Sequence, residues 1–250
     1  MQYGICHLSI VPLRASASHE SEMVSQLLYG EHFKILEERV HWSKIRNSFD
    51  GFEAWIDRKQ YKKIEEADYY SLEENDLQLS SDLIEYITDE SGLLMPVALG
   101  SVLNFAGNLG HSYEGERTKL SISKKENLIN TALLYLNSPH LWGGKSPFGI
   151  DCSGFTQTVY KLNGFKIKRN AAEQAKQGEA LSFIEESEPG DLAFFDDNDG
   201  VINHVGLMMK DNYIIHVEGK VRVDRIDHSG IFNAELRRHT HKLRVIKKII

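Results

Sequence analysis

The hydrophobic periodicity of the chain changes character near Ser121, and that change constrains the fold more than any other feature. Before it, HLSIVPL, HFKILEER and HWSKIRN alternate or are rich in aromatics, with breaks at Gly30 and at Asp50-Gly51. Glu53-Ala54-Trp55-Ile56 resumes after that turn. Short strands with polar breaks predict a small β-barrel over residues 1–64. After the change, SISKKENLINTALLYLN sets Leu128, Ile129, Ala132, Leu133 and Leu136 at helix spacing, and Asn137-Ser138-Pro139 ends the run. A second helix follows Cys152, with Phe155, Val159 and Leu162 on one face and Gly164 at its C-terminal cap. From Gly190 onward DLAFF, HVGLMM, YIIHV and VRVDRI read as strands. Helix, helix, then a run of antiparallel strands is an α+β arrangement over residues 119–250.

Between these parts, Glu65 to Glu90 is acidic and lacks Lys and Arg, which reads as a solvated linker and rim. LIEYIT, SVLNFAG and several glycines then suggest a second, degenerate β module, so residues 65–118 form a small unit of their own. A chain of 250 residues fits about two or so domains. Its 41% hydrophobic and 26% charged residues supply a core and exclude wholesale disorder. A net charge of −7 argues against a general nucleic-acid binder. No apolar stretch reaches the roughly 20 residues a spanning helix needs, so no membrane partner is expected. The start, MQYGICHLSI, has neither a basic region nor an apolar one of signal-peptide type. A cytoplasmic location is the expectation, or a periplasmic one if a leader was removed; the oligomeric state is not legible. Two cysteines, Cys6 and Cys152, fit free-thiol chemistry rather than a disulfide framework.

The chemistry concentrates at Asp151-Cys152-Ser153-Gly154-Phe155. A thiol at a helix start lies in a field that favours the thiolate, and small neighbours let a substrate carbonyl approach. Such a nucleophile needs a base. His204 and His216 flank the polar turn Lys210-Asp211-Asn212. If that turn is a three-residue loop, Met209 pairs with Tyr213 and His216 lies opposite Gly206. Both imidazoles then share one sheet face as diagonal neighbours. A two-residue loop would place them on opposite faces. The resulting roles are attack by Cys152, proton transfer by His204, and orientation of His204 by His216. The amide N–H of Cys152 is a natural oxyanion donor. A thiolate–imidazolium pair would alkylate well below the ordinary thiol value of about 8.5.

Residues 120–250 resemble the NlpC-type cysteine peptidases of bacterial cell-wall turnover. The resemblance rests on LWGG, DCSGF, RNAAEQ, PGDLAFF, NHVGLMM and YIIHVEG, in the family's order and spacing. It implies a papain-like α+β domain with Cys152, His204 and His216 catalytic. VPLR, SEMVSQLLYGE, WSKIR and DGFEAWID resemble the bacterial Src-homology-3-like barrels that precede this domain in muropeptide-recycling enzymes. That arrangement implies cleavage of a γ-D-glutamyl–diamino acid bond in wall peptides with a free L-Ala amino terminus, releasing L-Ala-D-Glu. Asp151 and Glu53 are then candidates for the ammonium, and Ser153 and Arg169 for the α-carboxylate of D-Glu. Two positions depart from the family. His140 stands where Tyr is usual, and Asn170 where Asp is frequent.

A catalytically silent wall-peptide binder is a competing reading, as is an amidase or acyltransferase on another substrate. Cys6 and His7, adjacent in a strand, point to opposite faces and make no dyad. His239-x-His241 reads as part of a solvated C-terminal strand rather than a metal or phosphate site. No zinc-ligand spacing, phosphate loop or dinucleotide fingerprint is present, so no metal and no cofactor are expected.

Overall fold

The computed structural model describes residues 1–119, 125–197 and 199–250. They fall into two compact units: Met1–Ile122 with Trp142–Pro147, and Ser123–Leu141 with Phe148–Ile250.

The first unit opens with seven strands: β1 (Gln2–Ile5), β2 (Ile10–Arg14), β3 (Met23–Leu28), β4 (His32–Glu38), β5 (Trp42–Asn47), β6 (Glu53–Asp57) and β7 (Lys62–Ile64). They form one antiparallel sheet in the order β3-β2-β6-β5-β4-β1-β7. It surrounds a core of Val11, Leu13, Leu27, Phe33, Ile45 and Ile56, to which Cys6 belongs as a buried apolar group. The Asp50-Gly51 turn is real: Asp50 Oδ1 accepts the Phe52 N–H at 2.8 Å, and Gly51 takes φ +76°.

The acidic stretch is not merely a linker. Glu66–Glu74 form helix α1, with Glu66 and Asp68 in the first turn, where carboxylates favour the helix N-terminus. Tyr69 and Leu72 are its buried residues. Strands β8 (Gln78–Ser80), β9 (Ile84–Asp89), β10 (Leu94–Ala98), β11 (His111–Tyr113) and β12 (Arg117–Lys119) follow. LIEYIT supplies β9 as expected, whereas SVLNFAG makes only an isolated bridge at Val102. The Asn104 side chain competes there for the backbone: its Oδ1 accepts the Gln78 N–H at 2.7 Å, and its Nδ2 donates to Asp76 O at 2.9 Å.

The short segment Trp142–Pro147 packs within this first unit. Gly143 takes φ +75°, and a Cβ there would meet the Met23 carbonyl oxygen at 2.5 Å, so only glycine fits. Lys145 donates its backbone N–H to Gln26 Oε1 at 2.8 Å and buries its ammonium 3.1 Å from Glu31.

In the second unit, helix α2 (Leu128–Leu133) is shorter than the run from Ser121, whose first residues lie outside those described. It tightens into i→i+3 bonds at Leu134, Tyr135 and Leu136 and stops at Asn137, which has φ +69°. In chain order, the two-residue strand β13 (Lys145–Ser146) belongs to the first unit, and β14 (Gly149–Ile150), in the second, precedes helix α3 (Cys152–Leu162). Every α3 residue after Cys152 is buried, so it is a central helix rather than one with a single apolar face. Helix α4 (Ala171–Gln174) then leads to β15 (Glu179–Leu181), β16 (Leu192–Asp196), β17 (Ile202–Met208), β18 (Tyr213–Glu218), β19 (Lys220–Asp227), β20 (Gly230–Asn233) and β21 (Arg238–Lys248). Their order is β15-β21-β16-β17-β18-β19-β20, and β21 also pairs with β20, which closes β16–β21 into a six-stranded ring. The α+β expectation for this half holds.

Candidate active site

The nucleophile candidate is the first residue of α3. Asp151 caps the helix, its Oδ1 accepting the Gly154 N–H at 2.6 Å. This leaves Cys152 half-buried at the helix mouth, with its sulfur 3.9 Å from the Asn203 carbonyl oxygen, one residue before His204.

The first turn of α3 is held from three sides. Arg169 lies fully buried in a two-point ion pair, Nη1 to Asp151 Oδ1 at 3.0 Å and Nη2 to Oδ2 at 2.6 Å. Arg169 Nη1 also donates to Ser153 Oγ at 3.0 Å. Gln174, the last residue of α4, donates from Nε2 to the Ser153 carbonyl at 3.0 Å and accepts from Thr156 Oγ1 at 2.9 Å. The RNAAEQ motif is thus a brace for the helix that carries the thiol.

The base arrives on the β17–β18 hairpin. Lys210, Asp211 and Asn212 form a three-residue loop, with Asp211 and Asn212 in the left-handed region that Asp and Asn tolerate. Met209 donates its N–H to Tyr213 O at 2.8 Å, and Gly206 pairs with His216. The odd loop therefore puts His204 and His216 on one face, with Nε2 of His204 2.9 Å from Nδ1 of His216. A Cβ at position 206 would lie 2.8 Å from the His216 Cβ, so the glycine makes the room that the ring takes.

The electrostatics depart from the expectation of an ionised sulfur. Burial pushes the Cys152 thiol up to about 12, and the Asp151 carboxylate acts in the same direction. Arg169 and backbone N–H groups oppose this without overcoming it. Burial holds His204 well below 6.5, and His216, His241 and His140 add to the effect. Both shifts favour the uncharged forms, a thiol on Cys152 and an imidazole on His204, because burial strips a charge of water.

Of the other residues singled out in the sequence, Asp151, Ser153 and Arg169 stand together beside Cys152. Arg169 is no surface charge, and its guanidinium is committed to Asp151. His140 is exposed and bonds its backbone N–H to the Gly219 carbonyl at 3.0 Å. Asn170 is the exposed N-cap residue of α4, without a side-chain capping bond. Glu53 lies on β6 of the first unit, paired with Lys44 at 2.9 Å and Arg46 at 2.7 Å.

Sequence reasoning missed two neighbours of the histidines. Asp224 on β19 lies 3.0 Å from Nε2 of His216. His241 on β21, expected on a solvated strand, stacks on His204 with ring centroids 4.1 Å apart and planes 26° from parallel. An acid two residues before the core residue Ile226 was a usable signal for Asp224. The long-range pairing of β21 with β16 and β20 has no local signal.

His204, His216 and His241 bring ligand atoms within 4.8 Å of one another. His204 stacks on His241, with ring centroids 4.1 Å apart, while His216 is edge-on to both. The His204–His216 contact is moreover a hydrogen bond. The cluster suits proton handling better than metal binding.

The comparisons agree with this geometry. Residues 137–240 match the NlpC/P60 family, and residues 13–60 match the bacterial dipeptidyl-peptidase SH3 domain. The gamma-D-glutamyl-L-lysine dipeptidyl-peptidase of Bacillus subtilis (strain 168) is 27% identical over 220 residues, covering 77% of this chain and 71% of that protein. Dipeptidyl-peptidase 6 of Lysinibacillus sphaericus is 26% identical over 248 residues, covering 86% and 88%. An NlpC/P60 family protein of Bacillus cereus ATCC 10987 shares the fold, with a TM-score of 0.78 at 18% identity over 99% of both chains. A thiol at the mouth of a buried helix, a paired histidine couple on the facing sheet and these matches together make the chain a cysteine peptidase built on an NlpC/P60 domain behind a bacterial SH3 domain.

Proposed function

We propose that this peptidase hydrolyses the bond between γ-D-glutamate and a diamino acid in cell-wall peptides that begin with a free L-Ala, releasing L-Ala-D-Glu. The observation that carries the catalytic half of this reading is the 2.9 Å bond between His204 and His216, on the face toward which the odd hairpin loop turns both rings. The substrate half is supported by the two relatives, each a dipeptidyl-peptidase matched over most of its length.

In the reaction, His204 accepts the Cys152 proton as the sulfur attacks the γ-carbonyl carbon. The C=O π pair moves to oxygen, and the Cys152 N–H at the helix start donates to that oxyanion. Collapse breaks the C–N bond, and His204 returns the proton to the departing amine. Water then attacks the thioester with His204 again as base, and the dipeptide leaves. Neutral reactants at rest suit this sequence, because His204 must begin unprotonated.

Ammonium recognition is the finer part of the proposal. Asp151 already has Arg169 as partner, and Asn170 brings no charge, so selection of a free amine rests on fewer anions than the family pattern supplies. The test is hydrolysis of L-Ala-γ-D-Glu-L-Lys and of its diaminopimelate counterpart by wild type and Cys152→Ala, with products identified by mass. L-Ala-D-Glu from wild type alone supports the reading. Equal cleavage of the N-acetylated peptide removes the free-amine requirement, and a different product moves the chain to an amidase or acyltransferase.

A further inference from the structure

Three consecutive strands each hand one polar residue to the same face. Gly206 pairs with His216, and His204 lies two residues from Gly206 on the same side. His216 pairs with Arg222, and Asp224 lies two residues from Arg222. His204, His216 and Asp224 therefore form a diagonal row across β17, β18 and β19. The row is buried and continuously bonded: His204 Nε2 to His216 Nδ1 at 2.9 Å, then His216 Nε2 to Asp224 Oδ2 at 3.0 Å. Arg222 clamps its far end, donating from Nε to Oδ2 at 2.6 Å and from Nη2 to Oδ1 at 3.0 Å. The same guanidinium reaches Glu235 at 3.3 Å.

Proton placement along such a row is forced from one end. The Asp224 carboxyl is held below its ordinary value: burial raises it, but hydrogen bonds from His216 and Arg222 prevail. A carboxylate only accepts, so where His216 carries a single ring hydrogen that hydrogen sits on Nε2, facing Asp224. Its Nδ1 is then a lone pair, and His204 must donate to it from Nε2. The hydrogen of neutral His204 is thereby fixed, and the nitrogen left free to act as base is Nδ1.

We propose that Asp224, clamped by Arg222, is a positioning residue that sets the tautomers of both histidines and leaves Nδ1 of His204 as the base for Cys152. No proton passes to Asp224. When His204 takes the thiol proton on Nδ1, its positive charge is backed by a hydrogen-bonded imidazole and, beyond it, by an anion. The proposal rests on the assignment of Cys152 and His204 to the acyl-transfer reaction, and it extends the catalytic row by one carboxylate and its guanidinium clamp.

Two measurements on the full chain decide it. Long-range nitrogen–proton correlation of 15N-labelled wild type reads the tautomers directly, and His216 protonated on Nε2 is the expected result. His216 protonated on Nδ1 overturns the proposal whatever the turnover. Asp224→Asn removes the charge and lets the amide present a donor instead. Its kcat should fall by at least about tenfold, as expected when a base is left in the wrong tautomer, with KM within about twofold. The acid limb of kcat/KM should move to lower pH, because protonated His204 loses its distant anion. Glu235→Gln, which touches only the clamp, keeps the wild-type profile. A folded Asp224→Asn enzyme with wild-type kcat and pH limb overturns the inference. So does one that loses kcat while its tautomers and pH limb stay unchanged, since that pattern marks a merely structural residue. If Asp224→Asn does not fold, the wild-type tautomers decide alone. Failure of wild type to cut the wall peptides would sink the proposed substrate and leave the tautomer result standing.

Discussion

Replacing Gly206 with alanine tests whether hairpin geometry, rather than the mere presence of two histidines, makes the base. The added Cβ would sit 2.8 Å from His216 Cβ and 2.8 Å from Ile214 Cδ1. Ile214 Cδ1 is a side-chain tip that can swing away, whereas His216 Cβ can move only with its strand or its ring. Overpacking of this kind costs about 1–3 kcal/mol, offset by about 0.4–1 kcal/mol because alanine restricts the unfolded chain. Net destabilisation should therefore be about 0–2.6 kcal/mol, which leaves the protein folded. The catalytic loss should be larger in proportion. A hydrogen bond to a group that becomes charged is worth about 1.5–3 kcal/mol, and losing it from the 2.9 Å His204–His216 contact predicts roughly a 10–150-fold drop in kcat. Thermal unfolding and steady-state hydrolysis of L-Ala-γ-D-Glu-L-Lys measure the two effects separately. A Gly206→Ala enzyme with wild-type kcat would refute the claim that close approach across the hairpin orients the base.

Removing the Arg169 guanidinium with Arg169→Met leaves a buried Asp151 carboxylate uncompensated, and stability should fall by about 3–5 kcal/mol in denaturant unfolding; a loss under about 1 kcal/mol would contradict the brace described for α3. His204 is held well below 6.5, so the acid limb of kcat/KM should lie below 6.5, and His241→Phe should raise it by removing one neighbouring positive charge. The same depression makes the unfolded chain bind more protons than the folded one as pH falls below 6.5; His204's contribution to stability is present above that value and is lost as pH falls through the folded one, which unfolding at several pH values will show. Since burial pushes the thiol up to about 12, iodoacetamide labelling of Cys152 should keep rising above the ordinary thiol range of about 8.5; a plateau at acidic pH would mean an ion pair at rest. Chelators should leave turnover unchanged, because His204 and His216 use facing nitrogens for the hydrogen bond between them.

Local chemistry made much of this site legible in advance. Asp151 before a helix is a cap signal, and its bond to Gly154 N–H is that signal realised. The polar triplet at 210–212 fixed a register, and register fixed the faces of His204 and His216. What stayed hidden depends on contacts distant in the chain or on burial. Arg169 carries no mark in the sequence that its charge is enclosed with Asp151. His241 reaches His204 only because β21 closes the sheet ring. The upward push on the Cys152 thiol comes from desolvation, which has no signature in the residues at the helix start. In the first unit, a side chain that captures backbone, Asn104, broke a run that otherwise reads as strand.

The most direct test is to quench the enzyme in acid during turnover of L-Ala-γ-D-Glu-L-Lys and weigh it. Wild type should carry an L-Ala-γ-D-Glu group as a thioester on Cys152, removable by hydroxylamine, and Cys152→Ala should carry none. Turnover with the adduct on another residue, or with the same product released by Cys152→Ala, would contradict the account.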